Sequence, residues 1–165
     1  MSQADSVTWT EYAAGELDAR TLYDMLMLRS AVFIVEQNCV YQDPDGLDLL
    51  EGTRHLIGRE GAGNNAIAAY ARILAPDVTR PTPRIGRVIV SGETRGQQLG
   101  RRLMERTLAS CEQHWPGRAV ELGAQAHLVG FYGSLGFRAL GEPYDEDGIL
   151  HVWMRRPSGV TGARH

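Results

Sequence analysis

The chain has only two cysteines, Cys39 and Cys111, among 165 residues. Two such residues build neither a disulfide framework nor a metal-ligand spacing. They are expected to be small buried or semi-buried side chains. No apolar run approaches the ~18 residues of a membrane span. The first six residues carry neither a basic stretch nor an apolar core, so they do not read as a secretory leader. The default expectation is a cytoplasmic protein. Basic charge is not in excess: 17 Lys and Arg stand against 20 Asp and Glu, a net charge of −3. That argues against a broad nucleic-acid-binding surface. No internal repeat is visible. A Walker loop would need GxxxxGK followed by Ser or Thr, and a dinucleotide fingerprint would need GxGxxG. Neither occurs, which disfavours a nucleotide-binding protein.

What is present describes a soluble globular chain. Hydrophobic residues make up 43% and charged residues 22%, ordinary values for that class. The length suits a single domain, placed at residues 7–156, with a core that needs no staples. Residues 157–165 read as a flexible tail.

The elements follow from hydrophobic period and turn chemistry. Val7 to Tyr12 predicts a strand. Asp18 or Thr21 can cap a helix running to about Glu36, with Leu22, Met25, Leu26, Val32 and Phe33 on its buried side. Residues 37–53 read as a loop. Arg54 to Glu60 and Ala66 to Leu74 predict a hairpin. Pro76, Pro81 and Pro83 mark the loop before the next strand. A helix from about Gln97 to Trp115 buries Met104, Leu108, Cys111 and Trp115. Later come strands around Val120 to Ala124, after Phe137, and from Leu150 to Met154. The order β, α, ββ, β, α, β, α, ββ fits an α/β (α+β) domain. Its sheet would be mixed and mostly antiparallel, with helices on both faces.

Two stretches carry chemistry. In the first, Val88 and Val90 alternate as in a strand. Gly92, Gly96 and Gly100 then permit a sharp turn and close approach to a ligand. Helical spacing begins near Leu99. A helix that starts just after such a turn aims unpaired N–H groups and a positive dipole end at it, which is a seat for phosphate. In the second, Val120, Leu122 and Ala124 alternate. Leu128, Phe131, Tyr132 and Leu135 follow at helical spacing, and Gly136 is a natural helix stop.

Together these stretches resemble the GNAT N-acetyltransferase superfamily, over about residues 7 to 156. Arg95-Gly96-Gln97-Gln98-Leu99-Gly100 is similar to its acyl-CoA loop, (Gln/Arg)-x-x-Gly-x-(Gly/Ala), with Gln98 where many members have Gly. Phe131-Tyr132-Gly133-Ser134-Leu135-Gly136-Phe137 matches its Phe-Tyr-x-x-x-Gly-Phe signature. The segments Val32 to Asp43, Arg54 to Ile57 and Gly123 to Leu128 look like the ElaA-like branch. The resemblance implies an acetyl-CoA co-substrate and no metal. It implies that the strands at 85–90 and 119–124 splay, with the acyl-CoA arm in the wedge. Backbone of Val88 and Val90 would hold that arm and orient the thioester. Residues 95–100 (Arg95, Gly96, Gln97, Gln98, Leu99 and Gly100) would seat the pyrophosphate. Gln125 stands where members commonly carry an Asn that bonds the pantetheine. Tyr132 stands where a Tyr often protonates the departing thiolate. A homodimer is compatible with the resemblance.

Amine acetylation also needs a base. Many family members carry an acid on the cofactor strand, but Arg84 to Val90 has none. His127 and Glu36 are the catalytic candidates, with His55 a further one. His127 has a side chain suited to proton transfer near neutral pH, but a histidine at a helix start also satisfies itself by hydrogen bonds. Glu36 reads equally as a solvated helix-end residue or a substrate anchor. Residues 36–51 hold five acids and no Lys or Arg, and residues 142–147 hold four more. Such runs are usually solvated faces. If either rims the site, it favours a cationic amine acceptor. A non-catalytic acyl-CoA-binding module is the competing reading.

Overall fold

The computed structural model describes residues 7–61, 66–91 and 96–159, with 96 and 97 described by backbone alone. Its centre is one seven-stranded sheet: β1 (Val7–Ala13), β2 (Arg54–Glu60), β3 (Ile67–Leu74), β4 (Arg84–Val90), β5 (Val120–Gln125), β6 (Arg138–Glu146) and β7 (Ile149–Arg156). The spatial order is β1-β2-β3-β4-β5-β7-β6. Every neighbouring pair is antiparallel except β4 and β5.

Helices cover both faces. Helix α1 (Ala19–Arg29) lies on one. Its fully buried Met25 joins Ile57, Tyr70 and Ile89, and Leu22, Leu26, Val32 and Phe33 pack around them. Asp18 is the cap: its carboxylate accepts the Thr21 N–H at 2.7 Å, a contact typically worth ~1 kcal/mol. Thr21 is therefore inside the first turn, not the cap. Helix α2 (Gly96–His114) and the short α3 (Val129–Gly133) lie on the other face. Leu99, Leu103 and Met104 of α2 are wholly buried there, against Leu56, Ala71, Ile73 and Leu122. Burying each such side chain contributes about 1.5–3 kcal/mol. Among the described residues no helix is long and apolar enough to cross a membrane.

After Arg29 the helix widens. Residues Ser30–Glu36 form a π-turn, and the Gln37 N–H donates to the Val32 carbonyl, five residues back, at 3.1 Å. Such widened turns recur at functional sites.

The acidic loop after it is held from inside. Arg29, fully buried, donates to Asp43 at 2.8 Å and to Asp48 at 2.6 Å. Arg72 binds Asp45 at 2.9 Å and Asp48 at 3.0 Å. Arg87 reaches Asp43 at 2.7 Å. Burial alone would raise Asp45, but the Arg72 pair overcomes it and holds the carboxyl down to about 2. Asp48 is likewise held below the usual range, its burial outweighed by Arg29 and Arg72. Three of the five acids in residues 36–51 are thus structural. Their partners come from α1, β3 and β4, which a reading of the segment alone does not reveal.

Arg87 has a further role. Its φ is +54°, rare for a residue with a side chain. The register slips between Tyr70 and Arg72, leaving one extra residue in β4, which is a bulge. The grip of Asp43 on the Arg87 guanidinium offsets the strain and fixes the strand on the way into the site.

Candidate active site

Strands β4 and β5 touch only at their starts. The pairs are Arg84 with Glu121 and Ile85 with Leu122. Beyond them β4 runs on to Val90 and β5 to Gln125 without pairing. The strands therefore splay, as the resemblance implied. Between them opens a cleft of about 1230 Å³ that reaches both faces of the sheet.

Most of the expected residues meet in this cleft. Val88 and Val90 line it from β4, and Gly100 from the first turns of α2. Gln125 lines it from the end of β5, His127 from the turn after it, and Tyr132 from α3. Glu36 enters from the end of the π-turn. Gln98 is exposed and is not among the lining residues. The Leu99 side chain is fully buried in the core, so only its backbone is available to a ligand. Gly96 and Gln97 sit at the start of α2, and Arg95 lies outside the described residues. His55 is also a correction to the base candidates. It is buried, held by Tyr70 at 2.7 Å and by the Asp48 carbonyl at 2.9 Å, and does not line the cleft.

Tyr132 is 5% exposed. Edge-on contacts with Phe131 and Phe137, at 5.1 and 5.9 Å between centroids, fix its ring. Burial pushes the phenol up to about 12, so it keeps its proton at neutral pH. Its hydroxyl has no hydrogen-bond partner among the described residues. Gln125 offers its amide to Gln37 across the cleft at 3.4 Å.

Glu146 and Asp147 of the second acidic run line the cleft, so that run does rim the site. Tyr144, Ile149, His151 and Trp153, from the same β6–β7 hairpin, were not anticipated. The available signal was the alternation in β7. Val152 and Met154 belong to the α2 core, so His151 and Trp153 must face the other way. The Cys39 thiol donates to the Asp147 carbonyl at 3.3 Å, tying the acidic loop to that hairpin. Cys39 and Cys111 are both buried and free.

The cleft suits an acyl-CoA. Past Ile85 the edge of β4 that faces β5 has no strand partner, so its backbone is free to bond the amides of a pantetheine arm. The cleft also has apolar walls for the arm and opens beside the start of α2, where helix N–H groups are unpaired. Among the described residues no group of three or more His, Cys, Asp or Glu is placed to hold a metal ion.

The acetyltransferase (GNAT) domain profile matches residues 50–157. The chain belongs to the GNAT acetyltransferase family. Among GNAT relatives, protein ElaA of Escherichia coli is 49% identical over 91% of this chain and 96% of its own. The crystal structure of Escherichia coli ElaA superposes with a TM-score of 0.84, covering 91% of this chain and 99% of that one. An acyl-CoA N-acyltransferase from Pseudomonas aeruginosa does so with a TM-score of 0.84 at 45% identity, over 92% and 99% of the two chains. The mixed GNAT fold read from the sequence, and its ElaA-like character, stand. A GNAT fold implies an acyl-CoA co-substrate and an acceptor.

Proposed function

We propose that the protein is an acetyl-CoA-dependent N-acetyltransferase in which a primary amine attacks the thioester directly. The observation that carries this reading is the splay of β4 from β5, with Tyr132 on one side and acidic and imidazole groups on the other. Acetyl-CoA supplies an activated acyl group. Backbone at Val88 and Val90 orients the arm and polarises the carbonyl, as preorganised donors do. N–H groups of residues 95–100 seat the pyrophosphate. Gln125 bonds the arm, and Tyr132 donates a hydrogen bond to the departing sulfur.

The acceptor is a cationic amine. Asp43, Asp45 and Asp48 are taken by arginines, so the case rests on Glu36, Glu146 and Asp147, which line the cleft; of the arginines on the same wall, Arg84 is paired with Asp77, Arg87 with Asp43, and Arg80 lies over the Trp153 ring. Residues 7–156 form the single catalytic domain. A reaction that consumes acyl-CoA belongs in the cytoplasm.

A thiol-release screen with acetyl-CoA tests the reading, using spermidine, lysine, kanamycin and a lysine-containing peptide as acceptors. Amine-dependent release is expected, fastest with the most cationic acceptor and slowed by added salt. Binding of CoA without release by any amine would leave only the acyl-CoA-binding module, which the absence of an acid on β4 favours. A best acceptor without charge would refute the cationic preference.

A further inference from the structure

The proposed function leaves one part unfilled, since β4 has no acid and His127 and Glu36 are both exposed. Neither of those two has a hydrogen-bond partner among the described residues to orient it. His151 differs on each count. It sits on β7, in register with Gln125 of β5 and Tyr144 of β6. Its neighbour Val152 faces the α2 core, so its ring lies on the other face, across the sheet from Tyr132. Both residues line the same cleft.

Its ring is held in one orientation and one tautomer. It stacks on Tyr144 at 5.9 Å and 25° and is 9% exposed. Nδ1 lies 2.8 Å from the Ile149 carbonyl oxygen. A carbonyl only accepts, so this contact assigns the proton to Nδ1 and the lone pair to Nε2. Glu146 lies 3.8 Å from Nε2. That is too far for a hydrogen bond, so the lone pair stays free.

We propose that His151 is the general base of the transfer, an inference that rests on the N-acetyltransferase reading above. The amine, bound as its ammonium, first gives a proton to His151 Nε2, which passes it to solvent; as the freed nitrogen forms its bond to the acyl carbon, its second surplus proton takes the same route. The carbon–sulfur bond breaks and its electron pair leaves with the thiolate, hydrogen-bonded by Tyr132. The thiolate takes one proton up from solvent, so the sum is amide, free thiol and one proton released. The other titratable or charged groups on the wall of the cleft are Tyr144 and Glu146 from β6, Asp147 from the turn, Glu36, Cys39 and Tyr41 from the segment after α1, Arg80, Arg84 and Arg87 on β4 and before it, and His127 and Tyr132 after β5.

The test compares wild type with His151→Gln across about pH 5.5 to 9, using the fastest acceptor of spermidine, lysine, kanamycin and the lysine peptide. Wild-type kcat/KM should fall on the acid side with unit slope. His151→Gln should lose that limb and ~10²-fold or more in kcat, as for a missing general base. Its affinity for CoA by calorimetry should stay within about threefold. Nitrogen-15 spectra of the wild-type ring should show the Nδ1–H tautomer, a readout that survives if the variant fails to fold. A variant with wild-type kcat or an intact acid limb would overturn the inference while leaving the acetyltransferase reading standing. So would loss of CoA binding in the variant, or an Nε2–H ring. Wild-type protein that releases no thiol with any of the four amines would overturn both.

Discussion

Removing the Tyr132 hydroxyl separates what this residue does for catalysis from what it does for packing. Tyr132→Phe keeps a ring wedged edge-on between Phe131 and Phe137. The phenol is held protonated up to about 12, against ~8.5 for a free thiol. Complete transfer to the thiolate is therefore uphill by about 3.5 pK units, or about 5 kcal/mol. On the proposed reading, Tyr132 would therefore act by hydrogen bonding rather than by full proton transfer. A hydrogen bond to a charged group is worth ~1.5–3 kcal/mol, so kcat and kcat/KM should both fall about 10- to 150-fold. The hydroxyl has no partner among the described residues and opens onto the cleft rather than being shut in the core, so its loss should change stability by no more than about 0.5 kcal/mol. Steady-state kinetics, calorimetry with CoA and a thermal melt read the three quantities. Wild-type kcat would make Tyr132 a packing residue. A drop in CoA affinity with unchanged kcat would make it a binding residue.

Other perturbations reach the scaffold. Asp43→Ala takes a partner from the fully buried Arg29 and from Arg87; breaking a buried pair costs ~3–5 kcal/mol, and urea unfolding should show a loss near the lower end because Asp48 still holds Arg29. A loss under ~1 kcal/mol would contradict the network's importance. Burial holds His55 below its ordinary range, so the unfolded chain takes up its proton more readily. The associated stability is complete above the unfolded value of ~6.5 and is lost as pH falls below it; the melting temperature should drop on acidification, and His55→Gln should flatten that slope. A methyl group at Gly100 would meet Val90 Cγ2 at 3.5 Å and Phe131 Cζ at 3.6 Å, both ordinary contacts. Gly100→Ala should therefore bind CoA within about threefold of wild type and gain up to ~1 kcal/mol of helix stability, whereas a tenfold loss would show that the cleft has no such room.

The fold was legible wherever period and punctuation agreed. Asp18 as a cap, the β2–β3 hairpin and the Gly136 stop, with φ at +97°, are local signals, and local chemistry sets them. The splay was legible only through resemblance, because strand separation is a property of register between distant segments. The role of residues 37–53 was hidden for the same reason. Its aspartates look like a solvated face until Arg29, Arg72 and Arg87 are brought to them from elsewhere in the chain. His151 was missed because β7 carries its apolar signal on Val152 and Met154, while the ring's function depends on which strands flank it. The β4 bulge at Arg87 has no composition mark, since glycine, the residue usually expected at positive φ, stands one position earlier at Gly86.

Hydrogen exchange on backbone amides with and without acetyl-CoA tests most directly whether the arm lies between the splayed strands. The segments to follow are residues 86–90 of β4 and 123–125 at the end of β5, whose facing edges lack a strand partner beyond Ile85 and Leu122. Saturating acetyl-CoA should slow exchange in both segments by about tenfold or more, with β1 and the outer edge of β6 unchanged, as expected where local opening sets the rate. Protection confined to residues 95–100 or to other parts of the chain, with unchanged exchange in both strand segments at a concentration where calorimetry shows full binding, would contradict the placement.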